Sequence, residues 1–326
     1  MDSSRRRLAA ALAAGCLLPS LARAQKKWPP RPVRIVVPFG PGGIADLTAR
    51  AVGQALSQQL GQAVIVDNRP GAGGVVGGEL VARAEPDGTT LLLLSNGSAV
   101  TAALFRKLPF DIQKDFAPVA LLGMFELGLV VPANSRFRSA ADFIAAAHAQ
   151  PGKLNLATIA VGSTQNLAAE LFRSTGGLKL QVVPFNGTPA VVTALRGGEV
   201  DAAIEILGPL QPQVAAGALR VLAVLGDSRS PALPKVPRLG ELGGPFAGFA
   251  VNSWNALAAP ARTPPDVVDR LSRALQAALA QPQLQQQLAA LDVVAGYQPP
   301  PVLAELLARD LRRWNSVIDH AGIARQ

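Results

Sequence analysis

From Val33 onward the chain alternates between two hydrophobic patterns. Short, nearly continuous apolar runs occupy residues 33–37, 64–66, 91–94, 127–131, 154–158, 181–185, 200–206 and 219–225. Strands of a parallel sheet read this way when helices cover both faces. Between the runs lie segments with apolar residues three and four apart. Ile44, Leu47, Ala51 and Ala55 share one face of such a segment, with Arg50, Gln54 and Gln58 turned outward. That spacing is a helix with one buried stripe. Strand–helix alternation over this length predicts an α/β architecture. The pattern changes late in the chain. Residues 228–245 are rich in proline and glycine and lack a clear period. Beyond Thr263-Pro264-Pro265-Asp266 the spacing predicts long Ala/Leu/Gln-rich helices, interrupted at Pro282 and at Pro299-Pro300-Pro301. The chain is expected to cross between two domains near residues 126–132 and to return near 248–256.

The opening residues obey a different rule. Arg5, Arg6 and Arg7 precede an apolar run over residues 8–18 and then Ala22-Arg23-Ala24. This is the order of a secretory signal cleaved after Ala24, so residues 1–24 are excluded from the fold. The run is too short for a membrane span, which takes roughly 20 residues. Ser4-Arg5-Arg6-Arg7-Leu8 also resembles a twin-arginine signal. Ala13-Ala14-Gly15-Cys16 carries Ala where a lipoprotein box has Leu, which argues against lipid anchoring at Cys16. A periplasmic protein is expected. Removing residues 1–24 takes away four arginines and one aspartate, and the net charge falls from +9 to +6. The remaining Lys and Arg are scattered, which fits a solvated surface or weak steering of anions and gives no nucleic-acid patch. Two histidines and no cysteine remain, so disulfides, thiol chemistry and zinc or iron–sulfur sites drop out.

Chemistry is concentrated where strands end. The loop Pro38-Phe39-Gly40-Pro41-Gly42-Gly43-Ile44-Ala45-Asp46 fits the relaxed dinucleotide pattern G-x-G-x-x-A, with Asp67 at the end of the next strand. Pro41 removes an N–H that a pyrophosphate would need, and Asp46 sets a negative charge in the first helical turn. An exported protein also rarely meets nicotinamide. No cofactor is expected. The same geometry suits a smaller anion, since a glycine-rich loop opening a helix aims free N–H groups and the positive dipole end above the strand. Asp46 then either caps the helix or accepts from a ligand amine or a water. Asp67-Asn68-Arg69-Pro70-Gly71-Ala72-Gly73-Gly74 is a tight turn whose Arg69 is either a surface ion-pair partner or a cation for the ligand. Ser95-Asn96-Gly97-Ser98 places short polar groups at another strand end. Thr158 to Asn166 repeats the arrangement with Gly162, Ser163 and Thr164, and Phe185-Asn186-Gly187-Thr188-Pro189 repeats it again. Glu205 ends an apolar strand and needs a partner, either a buried donor or a cleft.

These junctions resemble one family over residues 29–320: the Bug periplasmic solute-binding proteins of tripartite tricarboxylate transporters. The matching stretches are Pro32-Val33-Arg34-Ile35-Val36-Val37-Pro38-Phe39 with Gly42-Gly43 and Asp46, the loop from Asp67 to Gly74, and Pro86-Asp87-Gly88-Thr89. Lys107-Leu108-Pro109-Phe110-Asp111, Asp115-Phe116-Ala117-Pro118, Pro151-Gly152-Lys153-Leu154-Asn155, Ser230-Pro231-Ala232-Leu233-Pro234 and Leu257-Ala258-Ala259-Pro260 complete the pattern. The resemblance implies a two-lobed Venus-flytrap fold, each lobe a mostly parallel sheet flanked by helices. Domain 1 would comprise residues 25–127 with 251–326, and domain 2 residues 128–250. It also implies a small carboxylated solute, held by backbone N–H groups of the first and fourth loops with two bridging waters. Membrane permease subunits would be the partners of a monomeric receptor. Relatives often carry Tyr at Phe185, His at Asn166 and an Asp-Asn pair at Glu205-Ile206. The far end of this pocket therefore has fewer donors, and a monocarboxylate with an apolar or cationic tail is expected there over a citrate-like acid.

The residues expected to meet the ligand are Phe39, Gly42, Gly43, Asp46, Ser95, Gly97, Thr158, Gly162, Ser163, Thr164, Asn166, Phe185, Gly187 and Glu205. No Ser-His-Asp set, metal cluster or phosphate loop is visible, so no enzyme is expected. Two rivals remain: an exported α/β enzyme using an acid such as Glu205 as base, and a sensor passing its closed state to a membrane signalling partner.

Overall fold

The computed structural model describes residues 28–326, so the expected signal segment 1–24, its arginines and Cys16 lie outside the described residues. Ten strands and ten α-helices follow in order. The strands are β1 (Val33–Val37), β2 (Val64–Asn68), β3 (Thr90–Ser95), β4 (Phe116–Pro132), β5 (Asn155–Ile159), β6 (Gln181–Phe185), β7 (Ala202–Ile206), β8 (Leu219–Val224), β9 (Asn252–Pro260) and β10 (Val293–Gln298). The helices are α1 (Ile44–Leu60), α2 (Val75–Ala82), α3 (Asn96–Leu104), α4 (Ala140–Ala149), α5 (Thr164–Thr175), α6 (Thr188–Gly197), α7 (Gln211–Ala215), α8 (Pro265–Leu279), α9 (Pro282–Ala290) and α10 (Pro300–His320).

The apolar runs form the strands. Leu91, Leu93 and Leu94 are fully buried in β3, as are Ile35, Val36 and Val37 in β1. β1 pairs in parallel with β2 and β3, opposing Ile35 to Val66 on one side and to Leu91 on the other. In the second lobe β5 pairs in parallel with β6 and β7. The strand order is β2-β1-β3-β9-β4-β7-β5-β6, with β8 and β10 also pairing β4.

The joint between the lobes is a strand. β4 is 17 residues long. Its first part, to Glu126, runs antiparallel to β9 and β10, and from Leu127 it runs antiparallel to β7 and β8. β9 begins opposite that switch, with Asn252 paired to Glu126. The parallel pairs thus stand at the outside of each lobe, and the antiparallel strand β9 and the shared strand β4 make the sheet mixed.

Three stretches differ from the sequence expectation. β4 starts eleven residues earlier than the run at 127–131. β9 is a strand where only a crossing is expected, because Asn252, Ser253 and Asn255 break the apolar run. β10 lies within the tract read as helical, as a short edge strand paired to β4 alone.

The C-terminal helix α10 anchors the first lobe. Leu303, Leu307, Asp310, Trp314 and Ile318, spaced three or four apart, are its buried stripe. Asp310 is an acid in that stripe, and its Oδ2 accepts from Asn96 Nδ2 at 2.9 Å and Trp254 Nε1 at 2.7 Å. Trp314 Nε1 in turn donates to Asn96 Oδ1 at 3.1 Å. One polar network therefore ties α10 to β9 and to the first residue of α3.

Candidate ligand cleft

Four helices begin where strands of the two lobes end. α1 follows β1, α3 follows β3, α5 follows β5 and α6 follows β6. Their first residues meet around one cavity of about 480 Å³. Gly43, Ile44 and Ala45 face it from α1, Ser95 and Gly97 from α3, Thr164 and Gln165 from α5, and Gly187 and Thr188 from α6. The opening N–H groups of a helix have no acceptor within the helix, and the dipole adds partial positive charge at that end. Among the described residues, none that lines the cavity is charged. Phe39, Phe125, Ile159 and Ile206 supply apolar wall between the polar ends.

Glycines bring the two lobes together. A Cβ on Gly40 would lie 3.1 Å from the Asn186 carbonyl, and one on Gly42 would lie 3.1 Å from Pro189 Cγ. Gly73 has φ +64°, and a Cβ there would stand 2.7 Å from the Val161 carbonyl and 3.1 Å from Gly162 Cα. Thr101 Oγ1 locks the same contact, lying 2.7 Å from the Gly73 carbonyl and 3.0 Å from that of Gly162. Thr164 Oγ1 reaches Asn96 Oδ1 at 3.1 Å, so the α10 network extends across the cleft.

The expected residues divide by position. Phe39, Gly43, Ser95, Gly97, Thr164 and Gly187 line the cavity. Gly42, Asp46, Thr158, Gly162, Ser163, Asn166, Phe185 and Glu205 stand outside its wall. Asp46 accepts from the Gly42 N–H at 3.0 Å and pairs with Arg50 at 2.9 Å. Burial opposes its ionisation, but hydrogen bonds from Arg50, the Gly42 N–H and Asn68 outweigh that and hold its carboxyl below the usual range. The acid therefore stiffens the first loop. Ser163 caps α5 by accepting from the Asn166 N–H, and the Asn166 amide donates to Thr158 Oγ1 at 3.3 Å. Phe185 packs against the apolar cluster of the second lobe. Arg69 pairs with Asp67 at 2.9 Å on the exposed side of its turn, while Pro70 to Gly74 of that turn face the cavity.

Glu205 is fully buried. Burial pushes its carboxyl up to about 7, against the hydrogen bonds from Gln165, the Ile206 N–H and Thr188 that favour ionisation.

Phe125, Ser253 and Asn255 also line the cavity, from β4 and β9. Sequence reasoning passed over them because those strands were not read there. The signal that could have found two of them is the polar alternation Ser253, Asn255 around the buried Trp254. Asn255 Nδ2 donates to the Ile44 carbonyl at 3.5 Å, while its buried Oδ1 has no hydrogen-bond partner among the described residues.

A pocket built from helix N-termini at the switch between two lobes is the geometry of an anion receptor. Residues 48–323 match the family described as the tripartite tricarboxylate transporter family receptor, TctC. The chain belongs to that family. A protein encoded in the tcbD-tcbE intergenic region of Pseudomonas sp. (strain P51) is 37% identical over 316 residues, covering 96% of this chain and 94% of its own. Protein BugT of Bordetella pertussis is 35% identical over 297 residues, 90% of each chain. Among solved structures, periplasmic binding protein BugD has a TM-score of 0.87 at 29% identity, covering 92% of this chain and 100% of its own. Rpa4515 of R. palustris with adipate has a TM-score of 0.87 at 32% identity, covering 91% and 99%. As a TctC receptor the chain has the two-lobed α/β fold of periplasmic binding proteins, and capture of a small carboxylate for transport is the function of its family.

Proposed function

We propose that this protein captures a small carboxylate between its lobes in the periplasm, without turning it over, and delivers it as a monomer to the membrane permease subunits of a tripartite transporter. The observation that carries the reading is the meeting of four helix N-termini on a cavity with no charge among the described residues of its wall. A carboxylate docked there replaces water with fixed N–H donors and the favourable end of several dipoles. The apolar wall of Phe39, Phe125, Ile159 and Ile206 then covers the carbon chain. The adipate in the Rpa4515 structure supports this chemistry. His148 lies in α4 and His320 ends α10, so neither imidazole stands by the serines that face the cavity. The lobes 25–127 with 251–326 and 128–250 close about the strands β4 and β9.

Titration calorimetry with hexanoate and hexanamide tests the reading. Each charge-assisted hydrogen bond is worth roughly 1.5–3 kcal/mol, so losing two should weaken binding by at least ~100-fold. Equal affinities for acid and amide would overturn it.

A further inference from the structure

Behind the cleft wall, Glu205 on β7 uses its carboxyl to hold residues that do face the ligand space. Its Oε1 accepts at 2.7 Å from Gln165 Nε2 and at 2.7 Å from the Ile206 N–H. Oε2 has no hydrogen-bond partner among the described residues. Gln165, Thr188 and Ile206 all line the cavity, whereas Glu205 does not. The groups facing the carboxyl are uncharged on every side: Gly128 of β4 in register, Gln165 of α5 and Thr188 of α6.

An ionised carboxylate can only accept, so it dictates how its neighbours point. With Nε2 turned to Glu205, the Gln165 amide has its oxygen left over, and that oxygen accepts no hydrogen bond among the described residues. The Gln165 side chain thus presents an acceptor to this end of the cavity.

Resting on the carboxylate reading above, we propose that Glu205 is a positioning residue that sets ligand selectivity: it turns the oxygen of the Gln165 amide toward the cavity. A far end that donates, as a hydroxyl or an ammonium does, is then favoured over a second carboxylate. A carboxylate placed against the Gln165 side chain would meet that oxygen's lone pairs. Protonation of Glu205 reverses the preference, because the acid becomes a donor and the Gln165 amide is free to turn its NH₂ toward the cavity. Burial places that proton near pH 7.

Titrating the protein with hexanoate, 6-hydroxyhexanoate and adipate tests the proposal. At pH 8, 6-hydroxyhexanoate should bind about 10-fold or more tightly than adipate. At pH 6 that ratio should shrink severalfold. Glu205→Gln should bring it near one and remove its pH dependence. Gln165→Leu should also bring it near one, and keeps the test available if Glu205→Gln does not fold. Hexanoate, which carries the first carboxylate alone, separates the two readings. Failure of hexanoate to bind would overturn the carboxylate reading and this proposal with it. Hexanoate binding, with adipate matching the hydroxy acid in the unmodified protein at pH 8 or with both variants keeping its ratio, would overturn this proposal alone.

Discussion

At the scale of single residues, the cleft depends on side chains that are absent and on acids that resist ionisation. Gly73 adopts a left-handed backbone and faces Gly162 across the cleft with no space for a methyl group. Gly73→Ala should cost about 1–2 kcal/mol for that backbone and also push the lobes apart. The expected outcome is a hexanoate affinity about 10-fold lower, with the ligand-free melting temperature down by only a few degrees. Calorimetry beside a thermal melt checks it, and an unchanged affinity would show that the two loops do not need to touch. Glu205 and Glu126 make a second residue-scale case. Burial pushes both up to about 7, and the Glu126 shift is reinforced by Asp227 and then Asp292. An acid whose pKa is raised on folding binds more protons in the native state, so stability falls as pH rises from about 4.5 to about 7 and is level above that. For Glu205, which is fully buried, the loss is on the order of 3 kcal/mol. Melting temperature should therefore drop between pH 5 and pH 7.5, and Glu205→Gln should flatten much of that slope.

At the scale of elements, helices are positioned by polar contacts as much as by their apolar stripes. α10 buries Asp310 among leucines because α3 and β9 supply two donors to one oxygen. Asp310→Ala would strand the Asn96 amide and the Trp254 indole N–H in the core. A cost of about 3 kcal/mol is expected, since each unsatisfied buried donor carries roughly 1–3 kcal/mol. Asp310→Asn keeps an acceptor and should cost about 1 kcal/mol. Urea denaturation of the two variants checks the difference, and equal losses would mean that packing alone holds α10. Asn96 sits at the first turn of α3 and also meets Thr164 of α5, so this network bears on two of the four helix N-termini that face the ligand.

At the scale of the whole molecule, the two lobes share the strand β4. β4 leaves one sheet at Glu126 and enters the other at Leu127, and β9 starts beside that point. A strand pair bends and twists more readily than a packed lobe deforms, so the proposed motion is rigid-body closure about residues 126 and 252. Small-angle scattering should register it as a fall of about 1 Å in a radius of gyration of roughly 19 Å. A constant radius with saturating hexanoate bound would contradict closure.

The sequence by itself determined the elements whose signal is local. Eight apolar runs became eight strands, since a strand covered on both faces must be apolar at nearly every position. The glycine-rich junctions marked the starts of α1, α3, α5 and α6 for the same kind of reason: tight turns and helix caps are written in neighbouring residues. Tertiary structure alone decided what those junctions became. Asn252-Ser253-Trp254-Asn255 does not look like a central strand, because Ser253 and Asn255 are polar to suit a cavity that exists only once both lobes are in place. The eleven extra residues of β4 are a strand because β9 and β10 pair with them, a contact more than a hundred residues away in the chain. Asp46 and Glu205 looked alike as acids beside glycine loops. One became an ionised brace of the first loop and the other a buried acid near neutrality, because the donors that reached them and the water that left them were set by packing.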